Sequence, residues 1–198
     1  NESRKSFSRL ISLLLMGVTL ISSTASAEGA DPKTYFRETT DELKKKWPHN
    51  RTFRIVCHGH SVPAGFFKTP HVDTFNAYPH LLHVGLKERF PHAVINVIVT
   101  AIGGENAVQG AERIETEVLT HRPDILLIDY ALNDRGIGLG KAHEAWVSMI
   151  QKAQSQGAKV ILLTPTGDHR ADMSNVDDPL NQHADQICQE MKEGLEFL

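Results

Sequence analysis

Asp124–Tyr130, Asp-Ile-Leu-Leu-Ile-Asp-Tyr, is the stretch on which the fold turns. Its unbroken aliphatic centre does not suit a strand with one wet face. It suits a strand covered on both sides, as in a parallel sheet between helices. A Gly-rich loop over 131–140 follows, then a helical pattern over 141–155. That pattern turns Ala142, Ala145, Trp146, Met149 and Ala153 inward and stops at Gly157. Working outward, Ala93–Val99 (AVINVIV) is a second β-branched run of the doubly covered kind. A Gly turn at 102–106 and a helix over 107–119 follow it, with Ala107, Ala111, Ile114 and Val118 on one side. Phe53–Cys57 reads as a strand, 58–77 as a Gly- and Pro-rich loop, and Pro79 opens a helix to Arg89 bearing Leu82, Leu86 and Phe90. Lys159–Thr164 is the next strand, and His183–Lys192 the last helix. Near the start, Asp31-Pro32 opens a helix to about Lys46 that takes Leu43 and Trp47 into the core. Strand and helix alternate throughout. The order predicts a three-layer α/β/α sandwich on a mainly parallel, flavodoxin-like open sheet.

Composition agrees with one such domain. The chain has 198 residues, 40% hydrophobic and 23% charged, enough apolar content for a core and too little charge for a disordered chain. A formal net charge of −3 argues against a nucleic-acid partner. The first residues read as an export signal. Arg4, Lys5 and Arg9 are basic, Leu10–Ile21 is apolar but short for a membrane span, and Ala25-Ser26-Ala27 is a small-residue cleavage site. Residues 1–27 are therefore expected to be a signal peptide, leaving a periplasmic or secreted protein with no stable membrane span. The remainder would carry 18 basic against 23 acidic side chains, with no polybasic patch. Cys57 and Cys188 fall in separate elements and read as two separately buried thiols.

In a doubly wound sheet, ligands bind at the carboxyl ends of the strands. Here those ends lead into residues 58–65, 101–106, 131–136 and 165–170. The first loop offers Ser61 beside glycines, in Gly59-His60-Ser61-Val62-Pro63-Ala64-Gly65. The second, Ile102-Gly103-Gly104-Glu105-Asn106, leads into a helix and presents backbone N–H groups suited to a developing oxyanion. The third, Ala131-Leu132-Asn133-Asp134, offers a side-chain amide donor. A nucleophile with convergent donors fits acyl transfer, and the same three groups also suit a pocket that binds without turnover.

These three loops, in this order, resemble the motif blocks of the SGNH hydrolases, the GDSL esterase/lipase superfamily, over about Phe53–Leu198. The resemblance implies that Ser61 is the nucleophile, with its own N–H in the oxyanion hole, and that Gly104 and Asn133 are oxyanion donors. It implies a serine esterase acting on a lipid or O-acylated carbohydrate through an acyl-enzyme, with no cofactor and no metal. Three departures stand out. His60 replaces the Asp that precedes the serine, and Ala131 replaces a Gly. The family's final Asp-x-x-His block, which supplies the base, is not found before Leu198. Residues 28–198 are thus expected to form an SGNH hydrolase-like domain lacking that block. His183, with Asp178 before it, has the wrong spacing and reads better as a residue at a helix start.

Other readings carry less. His58 and His60 share a face in extended backbone, with His71 or His169 as distant third ligands, yet no metal-binding motif accompanies them. Glu105 and Asp134 could form a glycosidase pair. They read better as a helix-start charge and a loop-bracing acceptor. Gly103-Gly104 lacks the Lys of a phosphate-binding loop. Phe66, Phe67, Phe75 and Tyr78 suit either a substrate wall or core packing. The alternatives to the esterase are a small-ligand or carbohydrate-binding module on the same fold, and an acyltransferase to sugars using the same serine.

Overall fold

A computed structural model of the protein describes residues 31, 33–168, 170–193 and 195. The expected signal peptide and His169 lie outside the described residues.

Four parallel strands form the sheet: β1 (Thr52–Gly59), β4 (Val94–Val99), β5 (Ile125–Asp129) and β6 (Lys159–Leu162), in the order β4-β1-β5-β6. A small antiparallel hairpin, β2 (Phe66–Lys68) with β3 (His71–Val72), stands apart within the long first loop. The helices are α1 (Arg37–Leu43), α2 (Ser61–Ala64), α3 (Tyr78–Arg89), α4 (Ala107–Arg113), α5 (Ala131–Asp134), α6 (Leu139–Ser155) and α7 (Pro179–Glu193).

Side chains alternate across a strand, so the central strands feed two cores. Val56, Leu126 and Ile128 point into one, against Ala107 and Ile114, against Trp146 and Met149 of α6, and against Ile187 of α7. Phe53, Ile55, Cys57, Ile125 and Leu127 point into the other, against Leu43 of α1 and Leu82 and Leu86 of α3. The result is the expected α/β/α sandwich. Every residue of β5 is buried, as its aliphatic run requires.

Several boundaries differ from the sequence reading. The helix expected from Asp31 begins only at Arg37, after a turn closed by Asp31 and Thr34. Trp47 is 85% exposed and lies outside the core, because the helix has ended before it and Pro48 follows. Ala93–Val99 is not covered on both faces. β4 is an edge strand that alternates, with Ile95 buried and Val94 and Val99 exposed. The helix after the Gly turn is regular only to Arg113 and then widens into a π turn over Ile114–Val118. This keeps Ile114 and Val118 buried as predicted. The last helix starts earlier, at Pro179.

The chain leaves β1 toward β4 on one side and then crosses to β5 on the other. The sheet therefore has its switch point beside β1, where a crevice opens at the strand ends. That crevice positions the site.

Candidate active site

β1 ends at Gly59, which pairs in register with Asp129 at the end of β5. A Cβ at Gly59 would overlap the Asp129 carbonyl oxygen, so only glycine lets the two strand ends close this tightly. The chain then turns at once into α2. Ser61 is the first residue of that turn, and the buried His60 caps it by accepting a hydrogen bond from Val62 N–H. Ser61 Oγ lies 3.2 Å from His60 Nδ1.

Across the crevice, Gly104 adopts φ +86°, a left-handed conformation that exposes its peptide without a Cβ penalty. Asn106 caps α4 in a reciprocal pair with Gln109. Asn133 sits in α5, directly after β5, and its Nδ2 donates to the Glu105 carbonyl at 2.7 Å. An amide nitrogen has two hydrogens, so one ties the two loops together and the second stays available. Ser61, Gly104 and Asn133 all line one cleft of about 570 Å³, with Phe66, Phe67 and Arg135. The three residues singled out from the sequence thus share one cavity. A more apolar cleft of about 490 Å³ between β6 and α7 contains none of them.

A buried polar network holds the Gly104–Glu105 loop from behind, and no local sequence pattern signals it. Arg113 grips the Glu105 carboxylate through Nε and Nη2, the shortest contact being 2.6 Å. Tyr130 donates its hydroxyl to Glu105 at 3.2 Å and meets His58 Nε2 at 3.1 Å. His58 Nε2 also faces the Gly110 carbonyl, while Nδ1 faces the Thr100 hydroxyl. Nε2 therefore carries the ring proton, and Nδ1 accepts from Thr100. Burial pushes His58 down to about 4, so it is neutral at physiological pH. Burial likewise pushes the Tyr130 hydroxyl well above its usual range.

Asp134 is a bracing acceptor, as read from the sequence. One oxygen takes Ala107 N–H at 2.7 Å and the other Trp146 Nε1–H at 2.9 Å, which ties α5 to α4 and α6. Burial still raises its carboxyl to about 6 against those bonds. Glu105 serves Arg113 and Tyr130, so the glycosidase pairing finds no support in its contacts. Asp168, at the cleft rim, is held well below the usual carboxylate range by Arg170 and, with it, Arg135.

His58 and His60 are both buried with other partners. Among the described residues, no group of three His, Cys, Asp or Glu is placed to hold a metal ion. His183 lines a neighbouring cleft of about 420 Å³ with Asp168 and Arg135, one that does not include Ser61. Of the four aromatic residues after the serine, Phe66 and Phe67 line the cleft that holds Ser61. Phe75 stacks edge-on with His80, and Tyr78 packs into the second core. Cys57 and Cys188 are both free.

Comparison with known proteins shows the family and the fold. Residues 57–198 match the GDSL-like lipase/acylhydrolase family. The esterase TesA of Pseudomonas aeruginosa is 30% identical over 95 residues, 46% of this chain and 46% of the relative. The chain thus aligns with under half the length of that relative. Among solved structures, a two-domain esterase (CEX) active on acetylated mannans superposes with TM-score 0.61 at 20% identity, over 83% of this chain and 40% of that one. The acetylxylan esterase Axe2 from Geobacillus stearothermophilus gives 0.60 at 20% identity, over 71% and 70%. A lipase/acylhydrolase from Enterococcus faecalis gives 0.56 at 24%, over 74% and 73%. At such identities the structural likenesses speak for the fold. The family match covers the strand ends and loops that carry Ser61, Gly104 and Asn133, and on it the chain belongs to the GDSL-like lipase/acylhydrolase family.

Proposed function

We propose that the protein is a serine esterase that hydrolyses a carboxylic ester through an acyl-enzyme on Ser61. The observation that carries this reading is the meeting of Ser61, Gly104 and Asn133 in one cleft at the switch point of the sheet. Ser61 Oγ attacks the ester carbonyl, and the carbonyl electron pair moves onto oxygen. Ser61 N–H, Gly104 N–H and the free hydrogen of Asn133 Nδ2 receive that charge. Collapse expels the alcohol, which leaves with the proton given up by Ser61 Oγ, and water then cleaves the acyl-enzyme, adding its hydroxyl to the acid and returning a proton to Oγ.

The substrate class we infer is an O-acylated, in particular O-acetylated, carbohydrate, with an acyl lipid as the second choice. Two things support it. Phe66 and Phe67 give the cleft apolar faces suited to a sugar ring or an acyl chain. The similar folds include esterases named for acetylated mannan and acetylxylan. Residues 1–27 fit an export signal, which would bring the enzyme to extracellular polymers. Among the described residues, no helix is long and apolar enough to cross a membrane.

Ser61→Ala in the full-length protein tests the reading. Turnover of a short-chain nitrophenyl ester is expected to fall to background. Unchanged turnover would reject Ser61 as nucleophile and leave the binding-module alternative.

A further inference from the structure

Beneath Ser61 lies a buried pair with no counterpart in the family motif. His60 stands where the motif has Asp, and its ring is wholly covered. Nδ1 accepts from Val62 N–H at 3.3 Å and lies 3.2 Å from Ser61 Oγ. Nε2 has no hydrogen-bond partner, and the buried Asp129 Oδ1 lies 3.4 Å from it. The backbone enforces this meeting. His60 N–H donates to the Asp129 carbonyl at 3.1 Å, and Gly59 pairs with Asp129 across the two strands.

A neutral imidazole has one bare nitrogen and one N–H. Nδ1 faces a backbone donor and must be bare, so the proton is on Nε2, the nitrogen that lies beside Asp129. The opposite tautomer would set Nδ1–H against Val62 N–H and a lone pair against a carboxylate. Both contacts would be repulsive in a site that water does not reach.

We propose that Asp129 fixes the tautomer of His60 and that His60, so fixed, positions the Ser61 hydroxyl; the two together replace the single carboxylate that precedes the serine in the family motif. The proposal rests on Ser61 being the nucleophile. His60 is a positioning residue and not the general base. Its one in-plane lone pair is shared between Val62 N–H and the Ser61 hydroxyl, and protonating Nδ1 would set two donors, Nδ1–H and Val62 N–H, against each other. The charged groups near the ring are Asp129 on β5 and Asp134 on α5.

The pair makes a reciprocal prediction. His60→Asp restores the residue usual in the family, yet here it places a second carboxylate against Asp129 in a covered site, with Asp134 also near. His60→Asp should therefore lower kcat on a nitrophenyl ester by about 10²-fold, the cost of a misplaced reacting group, with KM little moved. Adding Asp129→Asn should then recover at least about 10-fold of that loss, a non-additive result for two residues in contact. Wild-type activity in His60→Asp, or a double variant no better than the single one, would overturn the proposal. If the variants do not fold, ¹⁵N NMR of the histidine rings in the wild-type protein decides. A His60 ring protonated at Nε2 and bare at Nδ1 supports the proposal, and the reverse rejects it. Persistent turnover by Ser61→Ala would instead reject the nucleophile and leave the tautomer result standing.

Discussion

Ser61, Gly104 and Asn133 come from three loops and owe their meeting to three different local causes: a capped turn, a left-handed peptide and a short helix after β5. Each predicts its own defect. Asn133→Ala removes the proposed oxyanion donor and the tie to the Glu105 carbonyl, and kcat should fall by about 10²–10³-fold with KM little changed. Gly104→Ala forces a side chain into φ +86°, so a loss of about 1–2 kcal/mol in stability should appear in denaturant melts, together with lower kcat. The thiols separate by burial. Burial, and after it Asp129, pushes Cys57 up to about 12, while Cys188 is half-buried on α7. A thiol reagent on the native protein should label Cys188 first and Cys57 only after unfolding. Ser61 and Asn133 were legible in the sequence because a polar residue just past an apolar run marks a strand end. The roles of Tyr130, Thr100 and Asp129 were not legible, because their partners lie tens of residues away and no local pattern records a buried hydrogen bond.

Elements meet at two braces. Arg113 on α4 holds Glu105, whose carbonyl holds Asn133 on α5. Arg113→Met leaves a largely buried carboxylate unpaired. It should cost about 3 kcal/mol in a denaturant melt and reduce kcat as the Gly104 loop loosens. The second brace is the Asp134 carboxylate between α4 and α6, and its pH response opposes that of His58. His58 has a lowered pKa in the folded state, about 4. Its stabilising contribution is present above its unfolded value near 6.5 and is lost as pH falls toward 4. Asp134 has a raised one, about 6. Its contribution is present below its unfolded value near 3.8 and is lost as pH rises through 6. Each is worth about 3 kcal/mol, with opposite sign over nearly the same pH range. Melting curves of the wild type between pH 4 and 6.5 should thus show little net slope from this pair. Asp134→Asn, which cannot titrate, should show stability rising with pH. A parallel wild-type and variant response would reject the raised carboxyl.

The whole molecule follows from the covered strands. Aliphatic runs at β1 and β5 required two cores, and the chain supplies α1 and α3 for one and α4, α6 and α7 for the other. That much was legible from periodicity. What misled was treating every apolar run alike. Val94–Val99 is as β-branched as a central strand, yet it forms the sheet edge, because strand order depends on connections and not on composition. Trp47 misled for a related reason, since the helix meant to bury it ends at Leu43. The switch point that brings Ser61, Gly104 and Asn133 together is likewise a property of strand order. It places the proposed nucleophile and its proposed donors in one crevice. The most direct measurement is to treat the full-length protein with a fluorophosphonate ester and locate the adduct by peptide mass spectrometry. The account predicts a single adduct on Ser61, loss of ester hydrolysis in step with labelling, and no adduct in Ser61→Ala. An adduct on another residue, or hydrolysis that survives full labelling of Ser61, would contradict it.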